Sequence, residues 1–421
     1  MSQYQLPTSD LLNNFDANVL VSKEEIEQKK NAVLHAFEDL GIEIFDVKET
    51  ISPSSIIYEL NLPFVNDFEK VKKKHSKIFL YIDGYRAEIT VPISEESIIR
   101  IEVPRKEKEQ LSICSAIESE AFKKSDALLP IILGKTNMNE ILVTDLTKCP
   151  HLLIAGDNDN GQKMLLDAIM LSLLYKKCPD ELKFVFILKP EDILPNYYQK
   201  IQECFCAKLP DADGSVITKC DTAIRTLDAL CGEMDRRYEI LYKSKTRNIE
   251  EYNQKIQIKE LKSPGNQLPY IVVFIEEFGD LKYIYGKRFE MSLCRLAQIS
   301  RAVGIHLVIA TIRPNTITGI IKADFPARVT FSVHSAKDSK VVIDSPEAKK
   351  LTDYGDMFCR IKGILNKARI FFVDVKELEN IADYIYQQGP YDSYLLPPVE
   401  DREEERGKDP LFEEAKRIIQ K

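Results

Sequence analysis

The sequence predicts an α/β fold built on a mostly parallel sheet and preceded by a small α+β domain. Three observations carry this. The segments HLLIAG, KFVFIL, PYIVVFIEE, IHLVIAT and ARVTFSV, opening at His151, Lys183, Pro269, Ile305 and Ala327, are short and almost wholly apolar. Strands buried on both faces of a parallel sheet have that character. Stretches of helical periodicity separate them, the βαβ alternation. Upstream, AEITVPI and IRIEVPR alternate apolar and polar residues, as half-buried strands do.

In chain order, Lys23 to Leu40 sets Ile26, Val33, Leu34, Phe37 and Leu40 on one helical stripe, and Gly41 stops it. IEIFDVKETIS and SIIYELNLP read as strands, and FEKVKKKHSKIFLYID as a helix passing into a strand. With the two alternating strands these make a first domain over residues 1–109. KEKEQLSICSAIESEAFKK reads as a charged, helical connector, after which LLPIILGK, EILVTDL and HLLIAG open a second domain over 110–390. Residues 391–408 form a charged linker, and DPLFEEAKRIIQK, 409–421, starts another helix.

Composition bounds the function. With 421 residues, 44% hydrophobic and 29% charged, the chain has material for two or three cored domains. A net charge of −8 argues against a general basic coat but leaves room for a local basic groove. Nine cysteines without paired spacing, and no signal-like opening, point to reduced thiols in a cytoplasmic protein. Cys204 and Cys206 have no second pair or histidine cluster near them, so no metal centre is expected there. No apolar run approaches the length of a membrane span.

Chemistry concentrates in two places. HLLIAG leads into a loop bounded by Gly156 and Gly161 and then an amphipathic helix, the frame of a phosphate-binding P-loop. A working loop wraps phosphates with backbone N–H groups, sets a lysine against the β/γ-phosphates and a hydroxyl on magnesium. Here those two positions hold Gln162 and Lys163, and Asp157, Asn158, Asp159 and Asn160 fill the loop. Alone, this spacing also suits an ordinary strand–turn–helix. PYIVVFIEEFGDL places Glu276 and Glu277 at a strand's C-terminal end, where α/β proteins bind ligands. Solvated acids at a strand end are the plainer reading. The loop and the acid pair together favour a nucleotide site, the first acid holding magnesium and the second orienting the attacking water.

At this point the sequence resembles the FtsK/SpoIIIE DNA translocases. The resemblance runs over nearly the whole chain through PHLLIAG, EMDRRYEIL, RNIEEYNQKI, PYIVVFIEEFGDL, RLAQISRAVGIHLVIAT, ITGIIKADFPARVTFSV and YGDMF. It implies a RecA-like P-loop motor preceded by that family's α domain, with residues 409–421 beginning a truncated winged helix. It implies ATP and Mg2+ as cofactors, double-stranded DNA as partner through sequence-independent backbone contacts, and a hexameric ring. The setting it implies is chromosome segregation and cell division. By position, Gly156 to Lys163 with Met164 form the nucleotide loop, Glu276 holds Mg2+, Glu277 is the catalytic glutamate and Arg301 the arginine finger acting on a neighbouring subunit. Arg313, Lys322, Lys337 and Lys340 match basic, DNA-contacting positions. Family members are often anchored by an N-terminal membrane region outside the matching segment.

The departures cluster at one place. The loop reads GDNDNGQK where the family has roughly GTTGSGKS, Glu276 replaces an aspartate, Ile312 a glutamine, and Leu188 stands where the family has DPK. A lost lysine–phosphate contact forfeits about 1.5–3 kcal/mol. A loop aspartate about 6 Å from a phosphate charge adds about 3 kcal/mol of repulsion at an effective dielectric near 20. Lys163 is one step along the helix, turned by about 100° from the position it would have to fill. An ATP site impaired in binding and hydrolysis is therefore expected. The alternatives are an active motor with an unorthodox loop, a DNA-binding pseudo-ATPase ring or inactive subunit beside an active paralogue, and a nucleotide-free protein scaffold.

Overall fold

A computed structural model describes residues 4–14, 21–82, 87–90, 98–157, 159–188, 195–212, 214–258, 266–352, 354–389, 391 and 393–399. Asn158, residues 400–408 of the expected linker and the expected helix at 409–421 lie outside them.

The first unit comprises α1 (Lys23–Glu38), β1 (Asp46–Ile51), β2 (Ser55–Asn61), α2 (Val65–Tyr81), β3 (Glu88–Thr90) and β4 (Ile98–Pro104). Ser22 caps α1 by accepting from the Glu25 N–H, and Gly41, at φ 63°, turns the chain out of it. The antiparallel sheet runs β1-β2-β4-β3 and shares a core of its own, with Phe37, Tyr58, Val71 and Ile101 fully buried. Two expectations change here. IFLY continues α2 instead of forming a strand, because Ile78 lies on the helix's buried face. Leu12, counted by sequence with this domain, packs into the larger core, and the Asn13 N–H donates to Glu377.

The second unit runs β5 (Pro130–Thr136), β6 (Ile141–Asp145), β7 (His151–Ala155), α3 (Asp159–Leu174), β8 (Leu182–Ile187), α4 (Asn196–Phe205), β9 (Val216–Ile217), α5 (Cys220–Lys243), β10 (Tyr270–Ile275), α6 (Phe278–Ile299), β11 (Ile305–Thr311), α7 (Gly319–Asp324), β12 (Ala327–Thr330), α8 (Ala336–Ile343), β13 (Asp356–Ile361), β14 (Ile364–Arg369) and α9 (Val375–Tyr386). Its ten-stranded sheet has the order β9-β8-β10-β11-β7-β12-β13-β14-β5-β6. The first six strands are mutually parallel and the remaining pairings antiparallel, so the sheet is mixed. The change of direction falls between β12 and β13, and Lys362 and Gly363, both at positive φ, then make a two-residue hairpin between β13 and β14. The expected helical connector is helical in part: a two-residue strand, Leu111–Ser112, paired with Phe371–Phe372, precedes two short helices, Ile113–Glu118 and Glu120–Lys123. Lys367 on β14 reaches Glu88 and Glu102 of the smaller sheet, both at 3.1 Å. No helix among the described residues is long and apolar enough to cross a membrane.

The N-terminal ends of β7 and β11 hold a buried histidine pair. The His151 and His306 rings lie 6.3 Å apart; His151 Nδ1 accepts from the Leu307 N–H and His306 Nδ1 lies 2.9 Å from the Pro150 carbonyl. Burial pushes their pKa values down to about 3 and about 4, the Pro150 carbonyl partly opposing it at His306. Both are neutral when folded but protonate near 6.5 when unfolded. Their contribution is complete above about pH 6.5 and is lost as pH falls toward 4. At pH 5 each should cost about 2 kcal/mol. Urea midpoints measured between pH 7 and 5 should fall accordingly, and His306→Gln should remove about half of that slope. A flat profile would count against the burial argument.

Candidate nucleotide site and basic face

Three parallel strands bring the candidate residues to one edge. β11 lies between β7 and β10, so the loop after β7 and the acids after β10 are two strand spacings apart, about 10 Å. The end of β11, Thr311 to Arg313, lies between them. A nucleotide held by the loop would cross Ile312 to reach Glu277, which is where α/β sheets place ligands.

The loop is closed on itself. Gly156 and Gly161 both face Phe331: a Cβ on Gly156 would stand 2.8 Å from Phe331 Cβ, and one on Gly161 3.1 Å from its ring. The Asp157 N–H donates to the Ser332 carbonyl at 2.9 Å, and its carboxylate pairs with His334 Nδ1 at 2.9 Å. Burial raises the Asp157 pKa, with His334 opposing. Gln162 is 3% exposed, and its Nε2 donates to the Gly156 carbonyl at 2.9 Å and the Thr311 carbonyl at 3.3 Å. The residue in the phosphate-lysine position thus ties the loop to the end of β11. Met164 packs against the main core. Of Asp159 and Asn160 only the helical backbone, within α3, is described.

Lys163 stands one helical turn from Asp167, a residue outside the sequence reading. Asp167 is buried, accepts from the Tyr197 hydroxyl at 3.2 Å, and is pushed up to about 7, first by burial and then by the charge of Glu276, with Lys163 pulling it down. An acid four residues after a lysine on the loop helix was the signal that could have found it.

Glu277 is buried and left-handed, at φ 52° and ψ 48°, a conformation that costs a non-glycine residue on the order of 1 kcal/mol or more. With Glu276 it makes the two-residue turn from β10 into α6. Gly279 permits the close crossing, since a Cβ there would meet Thr311 Oγ1 at 3.0 Å. Beside the acids is a cleft of about 180 Å³ lined by Ile187, Leu188, Ile217 and Leu281 together with Glu276, Glu277 and Asp280. The cation and the hydroxyl that would hold a triphosphate and its magnesium are both replaced at this edge, so the residues present do not fit that group.

The basic residues divide. Arg313 is exposed at the end of β11 and pairs with Asp280 at 3.1 Å. Lys322 on α7 pairs with Asp344 at 2.6 Å and donates to the Lys340 carbonyl at 3.0 Å. Asp344 also binds Arg328 at 3.1 Å and Arg360 at 3.4 Å, and these cations hold its pKa below the usual carboxylate range against burial. Lys337 and Lys340 are exposed on α8, against which the segment after Arg313 packs. Arg301 is exposed in the turn before β11, about 20 Å along that strand from Thr311. It lies at the opposite edge of the sheet from the loop and the acids.

Comparison with known proteins adds the following. The FtsK/SpoIIIE family model matches residues 112–316, and the FtsK alpha domain model residues 6–105. Proteins named DNA translocase FtsK from Chlorobaculum tepidum and Oceanobacillus iheyensis are 32% and 34% identical to this chain; each match covers 99% of the chain and 53% of the relative. The chain therefore spans about half the length of the curated relatives it matches. Among solved structures, the pCW3 conjugation coupling protein TcpA, a monomer form with ATPγS, superposes with a TM-score of 0.57 at 21% identity, over 86% of this chain and all of that one. The cytoplasmic domain of the Thermomonospora curvata type VII secretion ATPase EccC gives 0.54 at 19% identity, over 70% of this chain and 36% of that one. At such identities these two show the fold alone, an α/β fold.

Proposed function

This chain belongs to the FtsK/SpoIIIE family of DNA translocases, and on that premise we propose that it is a motor-domain subunit acting on double-stranded DNA with an impaired ATP site of its own. The observation that carries the reading is Gln162, whose amide bonds the Gly156 and Thr311 carbonyls where a phosphate-binding lysine would project. The motor is ATP-driven by descent, and nucleotide binds it weakly. The setting is DNA transport in chromosome segregation and cell division, in a cytoplasmic ring of six subunits.

Arg301 favours a mixed ring with an active paralogue as a second reading. At the far edge of the sheet it cannot reach its own acids, but from there it can face a neighbour's nucleotide and stabilise transferring phosphate. Such a subunit grips DNA and lends an arginine without turning over ATP.

The DNA arm of the proposal rests on Arg313 and Lys322. Both are held by carboxylates, Asp280 and Asp344, that a DNA phosphate would displace. Binding to duplexes of unrelated sequence should be similar in affinity and should weaken steeply with salt. Each phosphate contact contributes about 0.9 to the slope of log affinity against log salt. Fluorescence anisotropy on Arg313→Ala with Lys322→Ala should show that slope reduced by roughly 2. An unchanged slope, or no duplex binding by the unaltered chain at low salt, would remove DNA as the partner.

A further inference from the structure

We propose that Lys163 is a resident cation, held where a P-loop motor keeps magnesium, so that the acid at the end of β10 is neutralised by the chain itself and the site takes no divalent ion. The inference rests on the reading of Gly156 to Lys163 as a nucleotide loop by descent. In that loop the residue after the phosphate lysine supplies the hydroxyl on magnesium, with the first acid beyond the neighbouring strand completing the metal's surroundings.

The arrangement around Lys163 supports the exchange. Lys163 and Asp167 are one turn apart on α3, which sets their Cβ atoms about 5–6 Å from each other. Asp167 is buried and anchored by the Tyr197 hydroxyl at 3.2 Å. Its carboxyl feels two charges, Glu276 of like sign from the end of β10 and Lys163 of opposite sign from its own helix. Asp167 thus couples to a second acid from another element and to a half-buried lysine on its own helix. Close carboxylates need a cation or a shared proton, and an ammonium supplies the first without coordination geometry. A divalent ion approaching Glu276 meets a like charge already in place. Turned by about 100° from position 162 along the helix, Lys163 does not stand in for the lysine missing there.

The test uses the full chain, without ATP or DNA, at about pH 8 so that the acids stay ionised. Thermal unfolding of the unaltered chain should be the same in millimolar MgCl2 as in NaCl of equal ionic strength. Lys163→Ser should unfold a few degrees lower. Millimolar MgCl2 should then raise its midpoint by roughly 2–4 °C, as expected for a ligand present about tenfold above its dissociation constant. Adding Glu276→Gln should abolish that metal response. A midpoint in Lys163→Ser that neither falls nor responds to magnesium overturns the proposal. If Lys163→Ser does not fold, Mn2+ titration of the unaltered chain, followed by electron paramagnetic resonance, decides alone. No saturable binding supports the resident lysine, and saturable binding that disappears in Glu276→Gln overturns it. Loss of duplex binding in the anisotropy experiment would sink the DNA reading and leave this result standing.

Discussion

Exchanging Gln162 for lysine, Lys163 for serine and Asp157 for asparagine is expected to raise ATP affinity about a hundredfold to a thousandfold over the unaltered chain. The lysine restores a charge-assisted contact of about 1.5–3 kcal/mol. Neutralising Asp157 removes a repulsion of about 3 kcal/mol at 6 Å and an effective dielectric near 20, which solvent and salt screening reduce to roughly half. Together these give about 3–4.5 kcal/mol, at 1.4 kcal/mol per tenfold. The exchange also frees the Gly156 and Thr311 carbonyls from the Gln162 amide, so the loop is no longer tied to β11 by its own side chain. Calorimetric titration with Mg-ATP checks this. A variant that folds but gains less than tenfold would shift the fault to Ile312, to Glu276, or to the packing of Phe331 on the two loop glycines.

Arg237→Met is expected to cost about 3–5 kcal/mol of stability, the largest loss we foresee for any single substitution. Arg237 and Glu233 are both fully buried, one turn apart on α5 with Nε and Oε1 at 2.6 Å. The guanidinium also donates to the Pro269 carbonyl at 2.8 Å, the Val303 carbonyl at 2.9 Å and the Tyr394 hydroxyl at 2.9 Å. Removing it leaves a buried carboxylate and two buried carbonyls short of partners, although Arg236 still bonds Glu233 from the surface at 2.7 and 2.8 Å. The network fastens the chain just ahead of β10 and β11, the strands that carry the acids and follow Arg301. Denaturant unfolding reads the loss. Combining Arg237→Met with Glu233→Leu should recover part of it, because the stranded charge then goes too. A loss below about 1 kcal/mol would mean the carbonyls find water.

The parallel half of the large sheet was legible because strands buried on both faces are written as continuous apolar runs, and HLLIAG, KFVFIL, PYIVVFI and IHLVIAT coincide with β7, β8, β10 and β11. Their C-terminal ends put Gly156–Lys163 and Glu276–Glu277 on one edge. The antiparallel half was less so: β14 mixes polar and apolar residues along its length, and its hairpin with β13 depends on two residues, Lys362 and Gly363. IFLY was ambiguous because a short apolar run fits helix and strand alike, and tertiary burial of Ile78 decided it. Within the site, residue identities were readable but side-chain directions were not. Nothing in GDNDNGQK says that Gln162 turns inward or that the Asp157 N–H is taken by Ser332. EMDRRYEIL likewise does not distinguish the buried Arg237 from its exposed neighbour, since both stand within a turn of Glu233. The same holds for Asp344, whose grip on Lys322, Arg328 and Arg360 joins residues far apart in sequence.

The central claim is that this translocase-type subunit meets DNA without turning over ATP at its own loop. DNA-stimulated ATP hydrolysis by the purified chain at low salt, with Glu277→Gln as the blank, tests it most directly. The predicted result is a rate equal to the blank under conditions where duplex DNA is bound. DNA-dependent turnover that vanishes in Glu277→Gln would contradict the claim and make the loop a working one.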